Sequence, residues 1–172
     1  MRTAAERFGW QAYRRQPGRG RGFSFARYKN LAAYTAIACE AEVDRESGRV
    51  RVVRAVAAND SREIVNPDGI TNQIEGGIVQ SLSWTLHEAV SFERTRIASR
   101  DWAGYPILRF PDLPQSVEVH LVNRPGQPFL GTGEAAQGPT AAALANAFAD
   151  ATGARLRELP FTAARVRQAL GA

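Results

Sequence analysis

Hydrophobic and polar positions along this chain alternate in some stretches and recur every fourth residue in others, and each change of period marks an element. Ala4, Ala5, Phe8 and Ala12 share one face at helical spacing, which predicts a short helix over residues 3–13. Pro17-Gly18 and Gly20 then break the chain. Phe23, Phe25 and Arg27 alternate with small or polar residues, a weak strand signal. A firmer pair follows. Thr35, Ile37, Cys39, Ala41 and Val43 lie on one face of an extended run over 34–43. Asp44-Arg45-Glu46-Ser47-Gly48 supplies a turn with a glycine free to take positive φ. A second run over 49–58 holds Val50, Val52, Val53 and Val56, and the two form a β-hairpin. Glu40 and Glu42 fall on the outer face of its first strand, where Arg49 or Arg51 across the pair would suit them.

Asn66-Pro67-Asp68 is a helix start, with Asn as cap, Pro at the first helical position and Asp in the first turn. Ile70, Ile74, Ile78, Leu82, Leu86 and Val90 then recur every fourth residue, one buried stripe on a long helix. Gly76-Gly77 interrupts it at about 1 kcal/mol of helix propensity each. Two readings are open there: a ligand approaching the backbone closely, or tight packing on a neighbouring element. Residues 101–114 read as an extended irregular segment rich in Pro and aromatics. Val117, Val119 and Leu121 alternate with Glu118 and His120, a strand. Gly131-Thr132-Gly133-Glu134 is a glycine-flanked loop. Gly138-Pro139-Thr140 opens a helix with Ala141, Leu144, Ala145 and Phe148 on one face and Gly153 as its stop. A last helix is expected over 162–170. The sum is an α+β fold, an antiparallel β-sheet with packed helices, in a single domain spanning 1–172.

Length and charge narrow the field. At 172 residues and 44% hydrophobic content the chain can bury a core, and no apolar run reaches a membrane span. One cysteine, Cys39, excludes an internal disulfide framework, and two histidines, His87 and His120, exclude a finger-like zinc cluster. The net charge of +5 is uneven: residues 1–29 hold eight bases against Glu6, whereas the other 143 residues hold 14 bases and 16 acids. The basicity is therefore one segment, read as a flexible basic loop over 14–22, rather than a nucleic-acid surface, and no nucleic-acid partner is expected.

Few residues carry chemistry. His87 stands on the long helix with no second histidine at metal-ligand spacing, His120 reads as a surface residue, and Cys39 as a small buried one. Glu134 differs. It is the only ionisable residue between Arg124 and Asp150, on a loop freed by Gly131 and Gly133, just ahead of a helix start. A carboxylate there can serve as a general base, or can simply be a solvated loop acid favoured by the helix dipole. Gln73, three residues before Gly76-Gly77, offers both donors and an acceptor to a polar ligand.

These residues also carry a resemblance. Gln73-Ile74-Glu75-Gly76-Gly77-Ile78-Val79-Gln80-Ser81-Leu82 resembles the helix motif of the molybdenum hydroxylases, the xanthine dehydrogenase and aldehyde oxidase family. Gly131-Thr132-Gly133-Glu134-Ala135-Ala136 resembles that family's Gly-x-Gly-Glu loop, and Ala143-Leu144-Ala145-Asn146-Ala147 with Ala151-Thr152-Gly153-Ala154-Arg155 the helix after it. Asn66-Pro67-Asp68 and Tyr105-Pro106-Ile107-Leu108-Arg109 fall in the family's order. The likeness runs from Ala4 to Leu159 and is nearest the isoquinoline 1-oxidoreductase and nicotinate dehydrogenase type.

The resemblance implies the fold of the family's second molybdopterin-binding domain. It implies Glu134 as catalytic base, Gln73 as a ligand of the cofactor's pterin, Gly133 as a loop glycine beside the metal centre, and no metal ligand from the protein. The implied reaction is hydroxylation of a carbon beside nitrogen in a heteroaromatic ring, or of an aldehyde carbon. The implied cofactor is a molybdopterin-type molybdenum cofactor, the cytosine dinucleotide form among the options. Iron–sulfur clusters would sit on a partner, a small [2Fe-2S] subunit. The chain corresponds to the C-terminal portion of a large subunit, so a chain or domain carrying the first molybdopterin-binding domain is a further expected partner. As a fragment or split subunit it should be inactive alone. The alternative is a non-catalytic remnant or assembly piece that keeps the fold without cofactor. A cytoplasmic location is expected, or a periplasmic one if a parent chain carries an export signal. Ala135-Ala136 stands where many relatives have a proline after the glutamate.

Overall fold

The computed structural model describes residues 1–29 and 33–172. Helix α1 (Arg2–Phe8) and a 3-10 turn (Trp10–Ala12) precede strands β1 (Arg19–Tyr28), β2 (Ala33–Val43) and β3 (Val50–Asp60). Helix α2 (Pro67–Leu86), strand β4 (Ser116–Leu121) and helices α3 (Gln137–Thr152) and α4 (Ala163–Leu170) complete the chain. The four strands lie in the order β1-β2-β3-β4. The expected hairpin is β2–β3, and β1 adds to it antiparallel. The fourth strand departs from the all-antiparallel expectation: β4 runs parallel to β3, Ala55 facing Val117 and Ala57 facing Val119. The long crossover through α2 makes that direction possible, and alternation alone carries no strand direction.

The irregular valines of β3 have a physical cause. Val50 and Val52 point into the main core, and so do Ala55 and Ala57, although the parity has changed. A bulge between Glu40 and Ala41 in the β2–β3 register inserts one extra β3 residue and flips the alternation. On that face Ile37, Cys39 and Ala41 meet Ile74, Ile78 and Leu82 of α2 and Leu144 and Phe148 of α3. On the other face Ala36, Ala38 and Val56 meet Ala4 and Phe8 of α1, with Phe23 alongside. The sheet is thus a middle layer, thinly covered on the α1 side.

Helix α2 starts as the sequence predicts: the Asn66 side chain accepts from the Gly69 amide at 2.9 Å, and Pro67 opens the helix. It ends at Leu86, one turn short of Val90, which is exposed. Helix α3 presents a face rotated from the expected one. Thr140, Ala143, Leu144, Ala147 and Phe148 are buried, whereas Ala141 and Ala145 are only half so. The rotation follows from β1. A Cβ built on Gly22 would lie 1.9 Å from the Ala143 carbonyl oxygen, and one on Gly20 2.2 Å from that of Ala147. The helix backbone therefore rests directly on the strand, and α3 also serves the strand's free edge. Asp150 accepts from the Arg21 amide at 3.0 Å, and Asn146 donates to the Phe23 carbonyl at 3.0 Å.

The same contact corrects the reading of 14–22 as a loop. From Arg19 onward this segment is strand, and its glycines are packing residues, not breaks. Its charges are largely answered inside the fold. Arg19 pairs with Glu40 at 3.1 Å and with Glu42, taking the place expected for Arg49 or Arg51. Arg15 pairs with Asp150 at 3.4 Å, and the Arg21 guanidinium lies 4.4 Å from the Trp10 ring centre. Arg49 instead reaches Asp112 at 2.6 Å. No helix among the described residues is long and apolar enough to cross a membrane.

Candidate functional site

The end of β3, the first turns of α2 and the loop before α3 converge at one end of the molecule. Gln73, exposed on the second turn of α2, donates through Nε2 to the Gly133 carbonyl at 3.2 Å. That bond fixes the loop against the helix. The loop is held elsewhere too: Leu130 N–H points to the Ser61 carbonyl at 3.4 Å, Thr132 is buried, and Ala135 and Ala136 are sunk in the core. Ser81 donates to the Gln137 carbonyl at 2.8 Å, and the Gln137 amide donates to Gln80 Oε1 at 2.7 Å. Three α2 side chains thus hold the segment carrying Glu134.

Of the Gly76-Gly77 pair, one glycine answers to the packing reading. A Cβ on Gly77 would lie 3.3 Å from the Ala136 Cβ, so this glycine lets the loop's exit pack on the helix. Gly76 faces open space. Ala136 is therefore a packing residue against α2.

Beside this junction lies an open depression of about 410 Å³, lined among others by Val65, Ile70, Gln73, Phe129, Gly131 and Gly133. Gln73 and Gly133, both singled out in the sequence, come together on its wall. The lining stops at Gly133, and Glu134 turns elsewhere: exposed, its Oε2 accepts from the Tyr28 hydroxyl at 3.1 Å. Partial desolvation raises the Tyr28 pKa above the usual phenol range, and the hydrogen bond and charge of Glu134 raise it further. Tyr28 escapes sequence reasoning because it stands 106 residues from Glu134 at the end of a weakly patterned strand. Only the pairing of β1 with β2 brings it there.

The remaining titratable groups lie away from this end. Burial pushes the Cys39 thiol up to about 12, consistent with a small core residue. His87 caps the C-terminus of α2, and burial lowers its pKa. His120 is half-buried on β4, 3.8 Å from Glu118, less exposed than a plain surface residue.

Likeness to known proteins decides the family. Residues 2–114, most of the chain, match the molybdopterin cofactor-binding domain. The chain belongs to that family. As a molybdopterin cofactor-binding domain it is 46% identical to a subunit of the nicotinate dehydrogenase of Pseudomonas putida, over 99% of this chain and 16% of that protein. It is 33% identical to the beta subunit of isoquinoline 1-oxidoreductase from Brevundimonas diminuta, over 93% of this chain and 20% of the relative. Among solved structures, quinoline 2-oxidoreductase from Pseudomonas putida 86 superposes with a TM-score of 0.74 at 26% identity, covering 81% of this chain and 19% of that one. The aldehyde oxidoreductase of Desulfovibrio gigas gives 0.71 at 28% identity, over 81% and 16%. These relatives are oxidoreductases of the molybdenum hydroxylase family, and the α+β fold is theirs. The domain spans about a fifth or less of their length, so further domains or subunits complete the assembly. The family match ends before the loop that holds Gly133 and Glu134.

Proposed function

We propose that this domain forms one wall of a molybdenum hydroxylase active site, with Gln73 and Gly133 at the cofactor and Glu134 as general base. The observation that carries the reading is the hydrogen bond from Gln73 to Gly133, which ties a helix amide to the residue preceding the carboxylate. The residues present fit a pterin. Gln73 spends its Nε2 on the loop and keeps Oε1 as an acceptor for a ring N–H. The glycines of the loop leave backbone open to a flat ligand. The wall is one-sided, as suits a group held between two domains.

When bound, the molybdenum cofactor supplies oxygen transfer and two-electron acceptance, the hard part of the reaction. The chain's own residues do the rest. Tyr28 holds Glu134 Oε2 and leaves Oε1 to accept a proton. The Gln73 bond sets the position of the loop, and the loop sets the reach of the carboxylate. The complementary piece, carrying the first molybdopterin-binding domain, would cover the exposed carboxylate and exclude water. A small [2Fe-2S] subunit would take the electrons. The substrate class is an N-heteroaromatic or aldehyde carbon, in keeping with relatives named for nicotinate, isoquinoline and aldehyde chemistry. The cytosine dinucleotide form of the cofactor belongs to the same reading.

The test uses the assembled enzyme. Glu134→Gln should lower turnover by at least about a hundredfold while molybdenum per chain stays normal. Gln73→Ala should lower molybdenum per chain. Retained turnover in Glu134→Gln removes the base assignment. A stable chain that binds no partner and no molybdenum would instead identify a non-catalytic remnant.

A further inference from the structure

We propose that a second cleft, between Arg62 and Arg124, binds a phosphate oxyanion. It is a hollow of about 390 Å³ lined by Tyr34, Asp60, Arg62, Arg124 and Gln127. It lies on the other side of the 60–63 segment from the Gln73 depression: Asp60 and Arg62 line one, Ser61 and Glu63 the other. The lining is polar throughout, unlike the apolar wall next door.

The two arginines are preset. Arg62 sits at φ 71, in the left-handed region that residues other than glycine rarely adopt. Two bonds hold it there. Its amide donates to Asp60 Oδ1 at 3.1 Å, and its carbonyl accepts from the Arg124 amide at 2.9 Å. The second bond extends the β3–β4 ladder and places both arginines on adjoining backbones.

The charges do not cancel. Asp60 is 15% exposed and pairs with Arg124 at 2.7 Å, so one cation is answered. No hydrogen bond or ion pair among the described residues engages the Arg62 guanidinium, although the residue is half-buried. The unanswered Arg62 side chain lines the same hollow as Arg124 and Gln127, two further side chains that carry N–H donors. That arrangement suits the several oxygens of a phosphate. Asp60 ties the Arg124 guanidinium through one carboxylate oxygen and the Arg62 backbone through the other. The proposal stands apart from the cofactor reading, since none of its residues lines the Gln73 depression.

Calorimetric titration of the full chain at low salt tests it, with inorganic phosphate as the first probe and ADP as the second. Saturable binding of one phosphate in the low millimolar range or tighter is expected. Arg62→Gln should weaken it by about tenfold or more, and Arg45→Gln, on the exposed hairpin turn, should leave it unchanged. Arg62→Gly guards against misfolding. Glycine accepts the left-handed backbone, so this variant should melt no lower than the parent and still lose the anion. Equal affinity for the two probes assigns the cleft to the free ion. Tenfold tighter ADP assigns it to a nucleotide-borne phosphate. Absence of saturable phosphate binding, undiminished binding by Arg62→Gly, or capture of a glutamate-rich peptide in place of phosphate would overturn the proposal.

Discussion

Cys39 sits with its thiol wholly inside the core, where the charged form is disfavoured and the pKa rises to about 12. The unfolded thiol ionises near 9. Protonation therefore favours the fold, with its full effect below pH 9 and a loss as pH rises towards 12. The slope reaches about 1.4 kcal/mol per pH unit. Cys39→Ala should flatten the alkaline arm of the stability profile, measured by urea midpoints across that range, and native Cys39 should resist thiol reagents at neutral pH. The Tyr28–Glu134 pair makes a second residue-scale prediction. Removing the carboxylate charge in Glu134→Gln should bring the Tyr28 phenol back towards its ordinary range, read from ultraviolet difference spectra. An unmoved titration would mean that the two side chains do not meet in solution.

Among the elements, β1 and α3 were the least legible in the sequence. Gly20 and Gly22 look like breaks when read locally, yet each receives a helix carbonyl where a side chain would stand. Gly22→Ala should cost roughly 3 kcal/mol or more by overpacking, visible as a lowered denaturant midpoint. Gly76→Ala and Gly138→Ala meet nothing within 4 Å and should raise the midpoint, by up to about 1 kcal/mol each. Helix α2 and the β2–β3 hairpin were plain because each has a local signal beside its period, the Asn66-Pro67 start for the helix and the Asp44–Gly48 turn for the strands. The bulge, the parallel sense of β4 and the turned face of α3 depend on partners far along the chain. For the candidate site, Gln73, Gly133 and Glu134 could be named from local motifs. Tyr28 could not, because its contact exists only after the sheet has assembled.

At the scale of the molecule, the excursion between α2 and β4 stands out. Its frame is tied internally: Tyr105 donates to Glu88 at 2.7 Å, Ser91 meets Ser99 at 2.9 Å, and Phe92 bridges Ile97. Its apolar side chains nonetheless face outward, Phe92 at 79% exposure and Phe110 at 90%, with Trp102 also open. Exposed rings of this size are candidates for contact with another surface. The lone chain should bind a hydrophobic dye and self-associate. Replacing Phe92, Trp102 and Phe110 by serine should reduce both without lowering the melting temperature, since none of the three is buried. A large drop in melting temperature would show that these residues serve the fold itself.

The placement of that excursion has a consequence for how the polypeptide could be cut. Arg94, Arg96 and Arg100 are exposed there, and the core draws on both flanks, from Ile37 to Leu86 before it and from Ala135 to Val166 after it. Brief trypsin treatment should sever the backbone at these arginines and leave two pieces that elute together from a sizing column. They should separate only in denaturant, and the halves made as independent polypeptides should rebuild the same sheet on mixing.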